Sequence, residues 1–165
     1  MGSRYTYEMM QMDVEAIKEL YPFVEVLSIG KSVLGKDLTI LKIGNGQKEV
    51  FYNASFHANE WITSPVLMKF IAEYCLAIAN DSTIIGYNAK ELFNNVTLYI
   101  APMVNPDGVD LVTGDILATS NAYRSAEQIA RSFSSIPFPN GWKANIQGVD
   151  LNLQFPARLG TSKTN

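Results

Sequence analysis

Val96-Thr97-Leu98-Tyr99-Ile100-Ala101-Pro102-Met103-Val104 is a nearly unbroken apolar run of strand length. A strand without polar alternation is expected where both faces of a sheet are covered, as in α/β proteins. The flanking sequence agrees. Upstream, Leu67, Phe70, Ile71, Tyr74, Cys75 and Ile78 recur at steps of three and four, the stripe of a helix that starts near Ser64. Earlier still, Val24 to Ile29 and Leu38 to Ile43 are strand-like and separated by Gly35, as in an antiparallel pair. Val50 to Phe56 predicts a third strand, and Gly44-Asn45-Gly46 the turn before it. Met10, Val14, Ile17 and Tyr21 predict an opening helix that Pro22 ends. Downstream, a weaker helical pattern covers Ala122 to Phe133, and Pro137, Pro139, Asn140 and Gly141 mark a loop. The expectation is a single α/β domain over residues 1–165.

Composition narrows the function classes. A chain of 165 residues that is 47% hydrophobic and 18% charged can build a core without disulfides or structural metal. Thirteen Lys and Arg against 16 Asp and Glu give a net charge of -3, which attracts neither nucleic acid nor an anionic membrane. No apolar stretch is long enough to span a bilayer, because Lys69 and Glu73 interrupt the longest one. The amino-terminal residues show no secretory signal, so a cytoplasmic location is the default expectation. Cys75 is the only cysteine; on the helical stripe it is expected to be a small core side chain rather than a reactive or metal-bound thiol. A nucleotide-binding α/β domain fits poorly, since Gly44 and Gly46 lack a third glycine and no P-loop pattern occurs.

His57 is the only histidine, and it follows a strand directly in His57-Ala58-Asn59-Glu60. An imidazole and a carboxylate three residues apart at a strand end can turn toward one point and supply two ligands of a zinc site. The same spacing also describes a surface His beside a surface Glu, and by itself does not separate the two.

Three segments together carry more information: Phe56-His57-Ala58-Asn59-Glu60-Trp61-Ile62-Thr63, Asn105-Pro106-Asp107-Gly108, and Gly148-Val149-Asp150-Leu151-Asn152. In this order and spacing they resemble the zinc metallocarboxypeptidase family, whose member carboxypeptidase A holds zinc through two His and one Glu. The resemblance implies a mixed β-sheet flanked by helices, with zinc at the carboxyl ends of the central strands. It implies that His57 and Glu60 are zinc ligands and that Asp150 accepts the other ring N–H of His57. It aligns Lys143, after Trp142, with the basic residue that stabilises the oxyanion, with Arg124 and Arg131 as less well placed alternatives. The resemblance also implies that Asn59 and Asn152 fall in the substrate-binding region. From Val149 to Phe155, apolar and polar residues alternate, which predicts a strand with Asp150, Asn152 and Gln154 on one face.

Departures from the family pattern refine the expectation. Members that remove one C-terminal residue carry an Arg after the motif's Asn, to pair with the substrate carboxylate; here that residue is Leu153. Asn59 likewise stands where pancreatic-type members have Arg. Gly148 to Pro156 is closer to bacterial members that cleave γ-D-glutamyl-diamino-acid bonds of peptidoglycan stem peptides. The family's third ligand, a His, and its general base, a Glu, lie in the second half of a longer domain, and the tail Ala157 to Asn165 matches none of it. The chain is therefore expected to be the amino-terminal half of a zinc peptidase, inactive alone, with a peptide or stem-peptide substrate. Self-association, or a complementing C-terminal segment, is expected to follow. A remnant or binding module with the same fold is the other expectation.

Overall fold

The computed structural model describes residues 4–155; the expectations for Pro156 and for the tail 157–165 lie outside them. Among the described residues, five α-helices and six strands are best followed from the sheet. Strands β1 (Glu25–Lys31), β2 (Asp37–Ile43), β3 (Lys48–Asn53) and β6 (Val96–Ala101) form it in the order β1-β2-β6-β3. β2 pairs antiparallel with β1 and with β6, whereas β3 and β6 run parallel, so the sheet is mixed. The parallel pair brings two carboxyl ends to one edge of the sheet, and both lead into conspicuous motifs.

Helix α1 (Tyr7–Leu20) starts where Thr6 accepts the Met9 N–H and buries Met10, Val14 and Ile17. Helix α2 (Thr63–Ala79) buries Met68, Ile71, Tyr74, Cys75, Ala77 and Ile78. The buried stripe thus lies slightly off the expected one, with Leu67 and Phe70 at its half-buried margin. Both helices pack with Leu41, Ile43, Leu98 and Ile100 in one core. A small hairpin, β4 (Thr83–Ile84) and β5 (Tyr87–Asn88), leads into α3 (Ala89–Asn95), which returns the chain to β6. Gly46 is tightly constrained at this junction: a Cβ there would lie 1.9 Å from the Asn95 carbonyl carbon.

Helix α4 (Pro106–Thr113) follows β6, with Asn105 as its cap and Pro106 in its first turn. Two buried carboxylates tie it to the rest of the fold. Asp107 accepts Ser32 Oγ at 2.9 Å and the Leu34 N–H at 3.0 Å, both in the β1–β2 turn. Asp110 accepts the Tyr7 N–H at 2.8 Å and pairs with Lys36. Burial raises the Asp110 carboxyl above the usual range, while Lys36 and the Tyr7 N–H pull the other way. Helix α5 (Asn121–Ala130), capped by Ser120, completes a second apolar cluster with Leu111, Val112, Trp142 and Ile146.

Three expectations change. The run Val96 to Val104 is regular strand only to Ala101, and its second face is covered unevenly: Thr97 and Ala101 are buried, while Tyr99 between them is half-buried beside exposed Phe51. The strand expected from Val50 ends at Asn53, because the chain turns at Ser55, whose φ is +52°. The segment from Val149 to Phe155 is not a strand. It holds a 3-10 turn at Leu151–Leu153, and Asp150 accepts the Asn152 N–H at 3.0 Å while its carbonyl accepts the Gln154 side-chain amide at 3.2 Å. Such local bonds compete with ladder pairing. Leu153 and Phe155 are exposed rather than gathered on a buried face.

Candidate metal centre

The site forms where β3 ends. Ser55 takes a left-handed backbone conformation that is costly for any residue with a Cβ. The hydroxyls of buried Ser64 and exposed Thr63 hold it there. Ser64 Oγ donates to the Pro102 carbonyl at 2.6 Å, which leaves it an acceptor toward Ser55 Oγ at 2.7 Å, and Thr63 Oγ1 accepts the Ser55 N–H at 2.9 Å. The turn delivers His57 to the start of a 3-10 segment, Ala58–Glu60, which brings Glu60 round to the same side.

His57 Nδ1 lies 3.2 Å from Glu60 Oε1, and His57 Nε2 lies 3.3 Å from Asp150 Oδ1. The ring therefore bridges two carboxylates, with its side chain 17% exposed against 51% for Glu60 and 34% for Asp150. The same Asp150 oxygen accepts the Asn152 N–H, so the carboxylate is itself oriented.

The donor set suits zinc in kind and spacing. Two ligands of a tetrahedral zinc, each bonded at about 2.0–2.1 Å, stand about 3.4 Å apart. The separation between Nδ1 and Oε1 is 3.2 Å. Asp150 faces the opposite ring nitrogen, and no group of three or more His, Cys, Asp or Glu among the described residues is arranged to hold a metal ion. Among the described residues, His57 and Glu60 are thus candidates for a pair of donors, not a full set.

The chain matches the family model for zinc carboxypeptidases over residues 10–165. It belongs to that family. It is 47% identical over 154 residues to gamma-D-glutamyl-L-diamino acid endopeptidase 1 of Lysinibacillus sphaericus, covering 93% of this chain and 38% of the relative. It is 43% identical over 155 residues to the uncharacterized protein YqgT of Bacillus subtilis (strain 168), covering 93% and 40%. The chain thus spans about two fifths of the length of these curated relatives. Among solved structures, bovine thrombin-activatable fibrinolysis inhibitor bound to tick carboxypeptidase inhibitor matches with a TM-score of 0.58 at 21% identity, over 86% of this chain and 37% of that one. The Burkholderia cenocepacia metallo-carboxypeptidase matches with a TM-score of 0.53 at 22% identity, over 81% and 39%. These likenesses establish the carboxypeptidase fold.

Within this member of the zinc carboxypeptidase family, the other expected site residues take varied positions. Lys143 is exposed, pairs with no carboxylate among the described residues, and lines a cavity of about 420 Å³ together with Trp142, Asp150 and Leu153. Of the two alternatives, Arg131 pairs with Glu127 at 3.3 Å and Arg124 is exposed on α5. Asn59 sits in the 3-10 segment with its Oδ1 buried and unpartnered, while Asn152 is exposed. Ser55 was not legible as a site residue, and Asn105, although it opens one of the three informative segments, had no legible role. A Ser in a left-handed turn has no sequence signature, and Asn105 before Pro106 looks like an ordinary helix cap.

Proposed function

We propose that His57 Nδ1 and Glu60 Oε1 are two ligands of the zinc of a peptidase that cleaves γ-D-glutamyl bonds to a diamino acid, such as diaminopimelate, in peptidoglycan stem peptides. The observation that carries the metal reading is the His57 ring, bridged between Glu60 on one nitrogen and Asp150 on the other. The name of the Lysinibacillus sphaericus relative supports the substrate class. Leu153 supports it independently, because a leucine offers no charge to a free C-terminal carboxylate.

Zinc bound here would supply Lewis-acid polarisation of the scissile carbonyl and an activated water. The chain's own residues prepare for that. Asp150 holds the ring proton on Nε2, which leaves the Nδ1 lone pair for the metal. Lys143, with no carboxylate partner among the described residues, carries a positive charge to the developing oxyanion as a mobile point charge rather than a planar fork. Asn152 presents an exposed amide to the substrate peptide, and Asn59, whose Oδ1 is buried, lines the same region. His57 is the only histidine, so these 165 residues offer an incomplete ligand set and on their own hold zinc weakly and do not turn over substrate. The alternative reading is a module that keeps the fold without catalysis.

The lone imidazole makes the metal test unambiguous. Adding zinc to the chain should shift the His57 ring resonances reversibly, and Glu60→Gln should abolish the shift. A shift unchanged in that variant, or stoichiometric zinc that survives dialysis against a weak chelator, overturns the two-ligand reading. For substrate, the chain is mixed with the remaining segment of the Lysinibacillus sphaericus relative. Hydrolysis of a γ-D-glutamyl-diaminopimelate peptide in preference to a blocked dipeptide with a free C-terminus supports the reading. The reverse preference in kcat/KM returns the protein to ordinary carboxypeptidase action, and no hydrolysis favours the module.

A further inference from the structure

Asn105 is buried at the start of α4, where its Oδ1 accepts the Gly108 N–H at 3.1 Å. That cap fixes which way the amide points. Nδ2 faces a cluster of three backbone carbonyls: Ala144 at 3.0 Å, Phe56 at 3.2 Å and Lys143 at 3.4 Å. The Lys143 carbonyl also accepts the Ala58 N–H at 3.0 Å. Phe56 and Ala58 flank His57, while Lys143 and Ala144 belong to a loop more than eighty residues later. One side-chain amide therefore ties together the two loops that carry His57 and Lys143.

Capping alone does not explain this residue. Asp or Ser would supply the cap acceptor equally well; only the amide adds donors for the carbonyls. Gly108 gives a second, independent observation. A Cβ at that position would come within 2.7 Å of both Asn105 side-chain tips and 2.8 Å of the Ala144 carbonyl oxygen, so the clamp closes only over glycine. Asp107, between them, anchors the start of α4 to the β1–β2 turn, which gives the clamp a rigid base.

We propose that Asn105 is a positioning residue that fixes the separation of Lys143 from His57 in the peptidase site. The proposal rests on the roles given to those two residues above. The Ala58 amide reports on it, since that N–H bridges the two loops. Asn105→Asp keeps the cap and the shape but loses the donors, and Asn105→Ser is the alternative should the aspartate variant not fold. Amide hydrogen exchange in the full chain then compares Ala58 with Ile100, which lies in the sheet core. Loss of the clamp should speed Ala58 exchange about tenfold more than Ile100 exchange, the size of one lost hydrogen bond. Gly108→Ala should give the same pattern. If Ala58 and Ile100 speed up equally, Asn105 acts on global stability alone and the proposal falls. Zinc binding by the unaltered chain is measured separately and bears only on the metal reading.

Discussion

His57 Nε2 and Asp150 Oδ1 stand 3.3 Å apart although 93 residues separate them in the chain. A carboxylate on one ring nitrogen fixes the tautomer and raises the basicity of the other, and removing such a partner typically costs about 10–100-fold in metal affinity. Asp150→Ala should therefore weaken zinc binding by about tenfold or more. Competition with a chelator of known affinity checks this. An unchanged affinity would show that Asp150 does not orient the ring.

Ser55 combines backbone strain with a satisfied hydroxyl, and two substitutions separate the contributions. Ser55→Gly loses the hydroxyl but relieves the left-handed strain, whereas Ser55→Ala loses the hydroxyl and keeps the strain. The alanine variant should be less stable than the glycine variant by about 1 kcal/mol. Urea unfolding of both measures the difference, and the opposite order would show that the turn does not hold Ser55 at positive φ.

Burial pushes the Cys75 thiol from 9.0 up to about 12. The native state then holds this proton more tightly than the unfolded chain does. Stability from the neutral thiol is fully present below pH 9.0 and is lost as pH rises toward 12. Cys75→Ala should accordingly flatten the alkaline fall in stability, although it also opens a small cavity. In the folded protein the thiol should not react with a disulfide reagent at pH 8, and it should react at once in urea. Rapid labelling of the folded chain would place Cys75 outside the core.

Among the described residues β3 pairs with β6 alone, and Phe51 and Tyr52 along it are 54% and 47% exposed. An unpaired strand edge bearing apolar side chains invites pairing with another chain. The isolated 165-residue chain is expected to self-associate at micromolar concentration, and Phe51→Glu to reduce that association. Sedimentation velocity decides it. A monomer with a single cooperative thermal transition would show that the edge is adequately protected.

The local elements were legible because their signals are local. Apolar spacing places α1 and α2, Pro22 closes the first helix, and the paired runs around Gly35 form β1 and β2. His57 and Glu60 belong to this class, since a single turn of chain brings them together. The alternation from Val149 to Phe155 misled for a related reason. Periodicity records which side chains are polar, and it does not record that Asp150 closes local hydrogen bonds within its own segment.

What the sequence by itself determined is thus the class of fold and, through three spaced motifs, the zinc carboxypeptidase family, with His57 and Glu60 as its candidate donors. The pairing of His57 with Asp150 was implied by the resemblance, but only the tertiary structure decided the distances at which Glu60 and Asp150 face the two ring nitrogens, that Ser55 turns the chain at positive φ, and that Asn105 binds the loops of His57 and Lys143. The division follows from distance along the chain. Bonds between residues a turn apart are encoded by neighbouring side chains, whereas a bond that spans tens of residues exists only after parallel β3 and β6 have brought their carboxyl ends to the same edge.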